Sequence, residues 1–308
     1  MGVEDVFKLG PLPIQTLTIS RGREQNPPKP LLLVVPSVHG DYPVLLFLHG
    51  YLLVNSFYTQ LLQHIASHGY ITVAPQMYCI TCLDASGEIN DAVAITEWLR
   101  AKLYEHLPAN VLPDLQNVAL AGHSRGGKVA FGVALGRSKI PLSVPYVALV
   151  GVDPVDRPLY QCPSLPPCIT GEENSLVVNM PTLVIGSGLG PVKKNCCSIP
   201  CAPAGVNHVE FFRECCAPAY HFVAVDYGHM DFLDDITGGV RGATTYCMCK
   251  NGPSREPVRR FTGGIVVAFL NAWLRKKTEV LDELVANPSV APVKVDPPEY
   301  HALPSVTV

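Results

Sequence analysis

The chain has 308 residues, enough for a large buried core within one α/β unit. A formal net charge of -3 and the lack of a long basic run exclude nucleic acid and polyphosphates as expected partners. Charged residues make up only 16% and mean hydropathy is +0.22, yet no uninterrupted apolar run reaches the roughly 18 residues of a spanning helix.

The surplus apolar surface therefore belongs to the core or to a patch for a lipid-like ligand. The first 13 residues lack the apolar stretch of a secretory signal and the Arg- and Ser-rich composition of a transit peptide. Val6 also stands where a myristoylation site needs Ser or Thr.

Strands and helices then alternate, the pattern of a mostly parallel sheet with helices on both faces. Residues 12–20 and 30–38 read as two early strands around a charged, proline-bearing turn. Residues 42–48 are an almost continuous apolar run ending at His49-Gly50, as in a strand buried on both faces. A helix over 56–68, a strand over 70–74 and a longer helix over 87–107 follow. The next strand, 118–121, runs into Gly122-His123-Ser124-Arg125-Gly126 and a helix-compatible run over 128–137. Strands are expected at 147–151, 182–186 and 220–225, the last of them, and a closing helix at 260–276. Residues 1–286 form one α/β domain in this reading, and 287–308 an extended, Pro- and Val-rich tail over the surface.

The pentapeptide reads G-x-S-x-G between a strand and a helix, the context in which the serine is a nucleophile. In an open parallel sheet the reactive groups gather at the C-terminal strand ends, and the partners follow in the order serine, acid, histidine. His229, just after the final expected strand, is the candidate base. His123 is expected to pack beneath the elbow and His49 to brace its loop; His221 falls on a strand and His208 in a loop.

The acid commonly follows the strand at 182–186, but there the chain reads Gly186-Ser187-Gly188, with no carboxylate. One strand earlier, Asp153 stands at the strand end, where it can accept the histidine N–H. Asp156 is its competitor, read as a turn or cap residue, and Asp226 is read as structural. An oxyanion hole needs the N–H of Arg125 and one from the loop after Gly50, with Tyr51 as donor and Leu52 as alternative. The apolar run beyond it supplies Leu52, Leu53, Phe57 and Tyr58 as candidate pocket wall, together with Met230.

Eleven cysteines are present. Cys79-x-x-Cys82 is half of a zinc motif, but Cys247-x-Cys249 is no usual second half, so no metal is expected. One or two disulfides among Cys201, Cys215, Cys247 and Cys249 are expected instead.

Several long runs carry a resemblance. LLFLHGYLLVNSFY, GHSRGGKVAFGVAL, GVDPVD, LVIGSGLG, CAPAGVNHVEFFRECC, DYGHMDFLDD and YCMCKNG, in this order from Leu45 to Gly252, resemble plant chlorophyllases. The resemblance implies an α/β-hydrolase that cleaves the phytyl ester of chlorophyll without a cofactor, the magnesium belonging to the substrate. It maps the family's serine, aspartate and histidine to Ser124, Asp153 and His229. It also implies chlorophyll as partner, peripheral contact with thylakoid or other membranes, and a place in the chloroplast, with cytosol or endomembrane as alternatives. A broader carboxylesterase, lipase or polyester hydrolase is the second reading, and a non-catalytic binding protein on the same fold the third.

Overall fold

The computed structural model describes residues 2–21, 26–77, 84–157, 164–196 and 198–302. Nine strands form one sheet: β1 (Ile14–Ile19), β2 (Leu31–Pro36), β3 (Gly40–Leu48), β4 (Ile71–Pro75), β5 (Val111–His123), β6 (Ala148–Val152), β7 (Thr182–Ser187), β8 (Ala219–Ala224) and β9 (Glu299–His301). Their spatial order is β1-β2-β4-β3-β5-β6-β7-β8-β9. The six strands from β4 to β8 in that order run parallel; β1, β2 and β9 pair antiparallel at the two edges.

The helices are α1 (Thr59–Ser67), α2 (Ser86–Lys102), α3 (Arg125–Ala134), α4 (His208–Glu214), α5 (Gly239–Cys247), α6 (Glu256–Arg275) and α7 (Glu279–Ala286). Side chains alternate across a strand, and β3 shows the consequence. Leu45 and Phe47 join the core under α1, α6 and α7, whereas Val44, Leu46 and Leu48 join the core under α2, α3 and α4. Both faces being covered, β3 reads as a continuous apolar run rather than an alternating one.

Several elements differ from the sequence expectation. The helix expected over 87–107 is α2 followed by a 3-10 turn, Leu103–His106. β5 begins at Val111, well before residue 118, and α3 begins at Arg125, directly after the serine. Lys276 adopts the left-handed conformation (φ 57°) and ends α6, so α7, not α6, is the closing helix. α4 and α5 fall where the sequence predicts no helix, and His208 sits on α4, not in a loop. β8 is not the last strand: Glu299–His301 of the expected surface tail pair with Ala219–His221. Among the described residues, no helix is long and apolar enough to cross a membrane.

Candidate active site

Ser124 sits between β5 and α3 with φ 56° and ψ -121°, a conformation that L-residues avoid. The tight elbow leaves no room for side chains beside it. A Cβ on Gly122 would lie 2.2 Å from the Gly126 carbonyl oxygen, and one on Gly126 would lie 2.1 Å from that of Leu48. The turn is pinned from below by Ser124 N–H to the Val152 carbonyl, and by Val155 N–H to the Ser124 carbonyl.

Three of the side chains that the sequence singled out lie together. Ser124 Oγ is 2.8 Å from His229 Nε2, and His229 Nδ1 is 2.6 Å from Asp153 Oδ2. Asp153 follows β6 with φ 42° and is wholly buried. Burial alone would raise its carboxyl; the hydrogen bond and charge of His229, then the charge of His208 and the Ser187 hydroxyl, hold it below the usual carboxylate range. Ser187, at the end of β7, donates from Oγ to Asp153 Oδ2 at 2.6 Å and from its N–H to Oδ1 at 3.0 Å. Ser187 stands where the sequence lacks the carboxylate expected after this strand. In the structure that strand end supplies donors to the carboxylate next door.

His229 is carried by the loop after β8, and Asp231 braces that loop. Its Oδ2 accepts from Gly228 N–H at 2.7 Å and from Gly252 N–H at 2.6 Å. Burial raises the Asp231 carboxyl in spite of those two donors. A disulfide between Cys201 and Cys249 ties down the segment that contains Gly252. Cys215 is a buried thiol and Cys247 an exposed one, so neither shares that bond. Cys79 and Cys82 lie outside the described residues.

His123 does pack beneath the elbow, within a continuous hydrogen-bonded strut. Gly50 N–H donates to Tyr58 Oη at 3.0 Å, Tyr58 Oη lies 2.7 Å from His123 Nδ1, and His123 Nε2 lies 2.9 Å from the His229 carbonyl. With the Gly50 N–H donating into it, the Tyr58 hydroxyl donates to Nδ1, and Nε2–H donates to the carbonyl. Burial, then the neighbouring His229, pushes His123 down to about 3 and keeps it in this neutral form. His49 braces its own loop, with Nε2 3.0 Å from both the Met77 N–H and Gln76 Nε2.

Several expectations need correction. Tyr58 has no exposed surface, Leu53 is buried in the core beneath α1, and neither is among the residues that line the cavity beside Phe57. Their place in the 51–58 run looked like a pocket edge, but the chain turns inward through a 3-10 turn, Asn55–Tyr58. Asp156 is not a turn cap. It is buried, 3.2 Å from Lys128 Nζ, and its Oδ1 accepts from Cys168 N–H at 2.8 Å.

The oxyanion-side residues are placed as follows. Arg125 is the first residue of α3, at the positive end of the helix dipole. Its guanidinium makes a buried two-pronged pair with Glu88 of α2, both bonds 2.7 Å, and stands 5.9 Å from the Tyr51 ring centroid. Glu88 had no local signal beyond a helical position. Tyr51 and Leu52 are exposed, and Leu52 has φ 57°. Phe57 lines a cavity of about 460 Å³ with Val54, Ser56, Ile236, Val240 and Arg241. Met230 is partly buried against the core. Among the described residues, no group of three or more His, Cys, Asp and Glu is placed to hold a metal ion.

The arrangement has the parts for acyl transfer: a hydroxyl bonded to an imidazole, the imidazole bonded to a buried carboxylate, and a helix N-terminus beside the hydroxyl. A family model described as Chlorophyllase matches residues 2–302. Chlorophyllase-2 of Arabidopsis thaliana is 51% identical over 259 residues, covering 84% of this chain and 81% of that protein. Chlorophyllase-1 of Arabidopsis thaliana is 43% identical over 295 residues, covering 94% and 91%. Chlorophyllase-1, chloroplastic, of Citrus unshiu is 43% identical over 289 residues, covering 92% and 84%.

Proposed function

This chain belongs to the chlorophyllase family, and we propose that it hydrolyses the phytyl ester of chlorophyll with Ser124 as nucleophile, His229 as base and Asp153 as acid. The unbroken relay from Ser124 Oγ through His229 to the buried Asp153 is the observation that carries the residue roles. His229 takes the Ser124 proton as Oγ attacks the propionate carbonyl. The N–H groups of Arg125 and Tyr51 receive the tetrahedral oxyanion, with the dipole of α3 behind the first of them. His229 then hands its proton to the departing phytol oxygen, leaving an acyl-enzyme. Water, deprotonated by the same imidazole, attacks that ester and releases chlorophyllide and Ser124.

Asp153 has its work set by its surroundings. It accepts the Nδ1–H of His229, which fixes Nε2 as the nitrogen that meets the serine, and its charge stabilises the imidazolium formed during attack. The cavity beside Phe57 receives an apolar part of the substrate, and Leu52 and Met230 are assigned to substrate binding from their place in the sequence. Exposed Ile236 and Val240 support a peripheral contact with the thylakoid surface, and the chloroplastic naming of the two citrus relatives supports a place in the chloroplast.

Incubation of the wild type and Ser124→Ala with chlorophyll a and with p-nitrophenyl butyrate tests the whole reading. Wild type is expected to release water-soluble chlorophyllide, and Ser124→Ala to lose on the order of 10⁴–10⁶ in kcat on both substrates. Activity of the wild type on the simple ester alone would replace chlorophyll hydrolysis by a general esterase role. Turnover by Ser124→Ala at the wild-type rate would remove the serine from the chemistry.

A further inference from the structure

His49 follows the last residue of β3, next to the glycine whose N–H begins the strut, and its ring is buried. Both ring nitrogens are engaged. Nε2 lies 3.0 Å from the Met77 N–H and 3.0 Å from Gln76 Nε2, just beyond β4. Nδ1 lies 2.9 Å from the carbonyl oxygen of Gly50. That oxygen also accepts the Leu53 N–H at 3.2 Å, closing a turn over residues 50–53 in which Leu52 has φ 57°. The Gly50 N–H is held as well, by Tyr58 Oη at 3.0 Å.

The position of the ring proton follows from these partners. A backbone N–H can only donate, so the Met77 N–H requires a bare Nε2. The Gln76 amide agrees: its Oε1 accepts the Asn55 N–H at 3.0 Å, and its nitrogen is the atom turned to His49. The neutral ring then carries its hydrogen on Nδ1, where the Gly50 carbonyl oxygen can only accept it. Burial outweighs the pull of the Gly50 carbonyl and, with the charge of Arg241, pushes the ring down to about 4. His49 is therefore neutral at physiological pH, with its donor and its acceptor both matched.

The Gly50 carbonyl belongs to the same peptide unit as the Tyr51 N–H. That peptide is trans, so its oxygen and its hydrogen point in opposite directions. Fixing the oxygen on the side of His49 and Leu53 turns the Tyr51 N–H to the other side, away from the turn. There, among the described residues, it meets no acceptor. The backbone at this point lies against the nucleophile: a Cβ on Gly50 would come within 3.2 Å of Ser124 Cβ and 3.1 Å of His123 Nδ1. We infer that His49 is a positioning residue for the oxyanion hole: its Nδ1–H holds the Gly50 carbonyl and thereby aims the Tyr51 N–H. The inference rests on the reading of that N–H as an oxyanion donor, which Tyr51→Pro tests separately. Proline suits the second position of a β-turn and lacks the N–H, so the turn survives while the donor is lost. Its kcat is expected to fall about 10²-fold on chlorophyll a and p-nitrophenyl butyrate alike. A wild-type kcat in Tyr51→Pro would remove that donor from the mechanism, and the task of His49 with it.

Two readouts then test His49 itself. In the histidine-labelled full chain, ¹⁵N NMR between about pH 6 and pH 8 is expected to show His49 protonated on Nδ1 and bare on Nε2. The opposite tautomer, or an imidazolium, overturns the proposal. In kinetics on both esters, His49→Leu is expected to lower kcat about tenfold with KM within about twofold. His49→Asn, whose amide nitrogen falls near the Nδ1 position, should restore most of the rate. His49→Gln, whose amide falls near the Nε2 position and serves only the Met77 side, should not. A Gln variant faster than the Asn variant would mean that the ring only braces its loop, and would overturn the proposal. So would a folded His49→Leu with wild-type kcat, or a loss confined to chlorophyll. Should His49→Leu fail to fold, the wild-type tautomer and the order of the Asn and Gln variants still decide it.

Discussion

The two sides of the candidate active site are built in opposite ways. On the relay side, Ser124, His123, Asp153, Ser187 and His229 are buried, and their polar atoms are joined by a dense set of hydrogen bonds. On the rim side, Tyr51, Leu52, Ile236 and Val240 turn apolar surface to water, with Ile236 and Val240 at 88% and 84% exposed. The difference separates two tasks. Proton transfer needs atoms fixed to a few tenths of an ångström in a dry setting. A long, flexible, greasy ester needs an accessible apolar surface that accommodates rather than dictates. The strut from Gly50 through Tyr58 and His123 to the His229 carbonyl joins the sides, fixing the start of the rim loop to the base.

The comparison can be broken most severely at its buried end. Asp153→Asn keeps the shape but offers His229 an amide in place of a carboxylate, and kcat is expected to fall about 10⁴-fold on large and small esters alike. Steady-state kinetics on chlorophyll a and p-nitrophenyl butyrate checks this; a loss confined to chlorophyll would put Asp153 on the wrong side of the division. At the exposed end the expectation is smaller and selective. Replacing Ile236 and Val240 together by Ser should raise KM for chlorophyll about fivefold and leave p-nitrophenyl acetate hydrolysis unaltered. Equal effects on both esters would mean that the rim shapes the relay.

An effect on stability rather than on rate is expected where the two sides meet, at Asp234. Burial raises its carboxyl from 3.8 to about 6, although the Gln60 N–H donates to it. Between those two pH values the folded chain holds a proton that the unfolded chain has lost, so stability from this group falls as pH rises through that window. Asp234→Asn keeps an acceptor for Gln60 and removes the titration. Its stabilisation should be about 2 kcal/mol, a Tm gain of about 4 °C, at neutral pH and should vanish below about pH 4. Thermal melts across pH would show this; a gain that ignores pH would refute the titration account.

Much of the fold was legible because its signals are local. The strands from β2 to β8 are apolar runs bounded by Gly, Pro or polar residues, and the elbow is a five-residue pattern in its proper context. Asp153 could be singled out from a strand end and from the lack of a carboxylate after Gly186. What escaped depends on contacts between distant residues. Ser187 meets Asp153 across 34 positions, Glu88 meets Arg125 across 37, and Tyr58 meets His123 across 65. Tyr58 is instructive: as one aromatic residue in an apolar run it suggested a pocket wall, whereas its hydroxyl sits between a backbone N–H and a buried imidazole. α4 and β9 are only 7 and 3 residues long, too short for a hydrophobic period to declare itself.

β9 carries one more consequence, for the solubility of the molecule rather than its chemistry. Glu299–His301 pair with Ala219–His221 and residues 294–296 bond to Val223 and Val225, so without Glu299–His301 the first half of the far margin of β8 would show unpaired N–H and C=O groups, a template on which a second chain can align. The cover is brief and bears an ionisable residue at each end, so it closes that margin while offering little length for a further strand to join. A chain cut short before residue 299 would keep Ser124, His229 and Asp153, yet would be expected to aggregate through the uncovered edge.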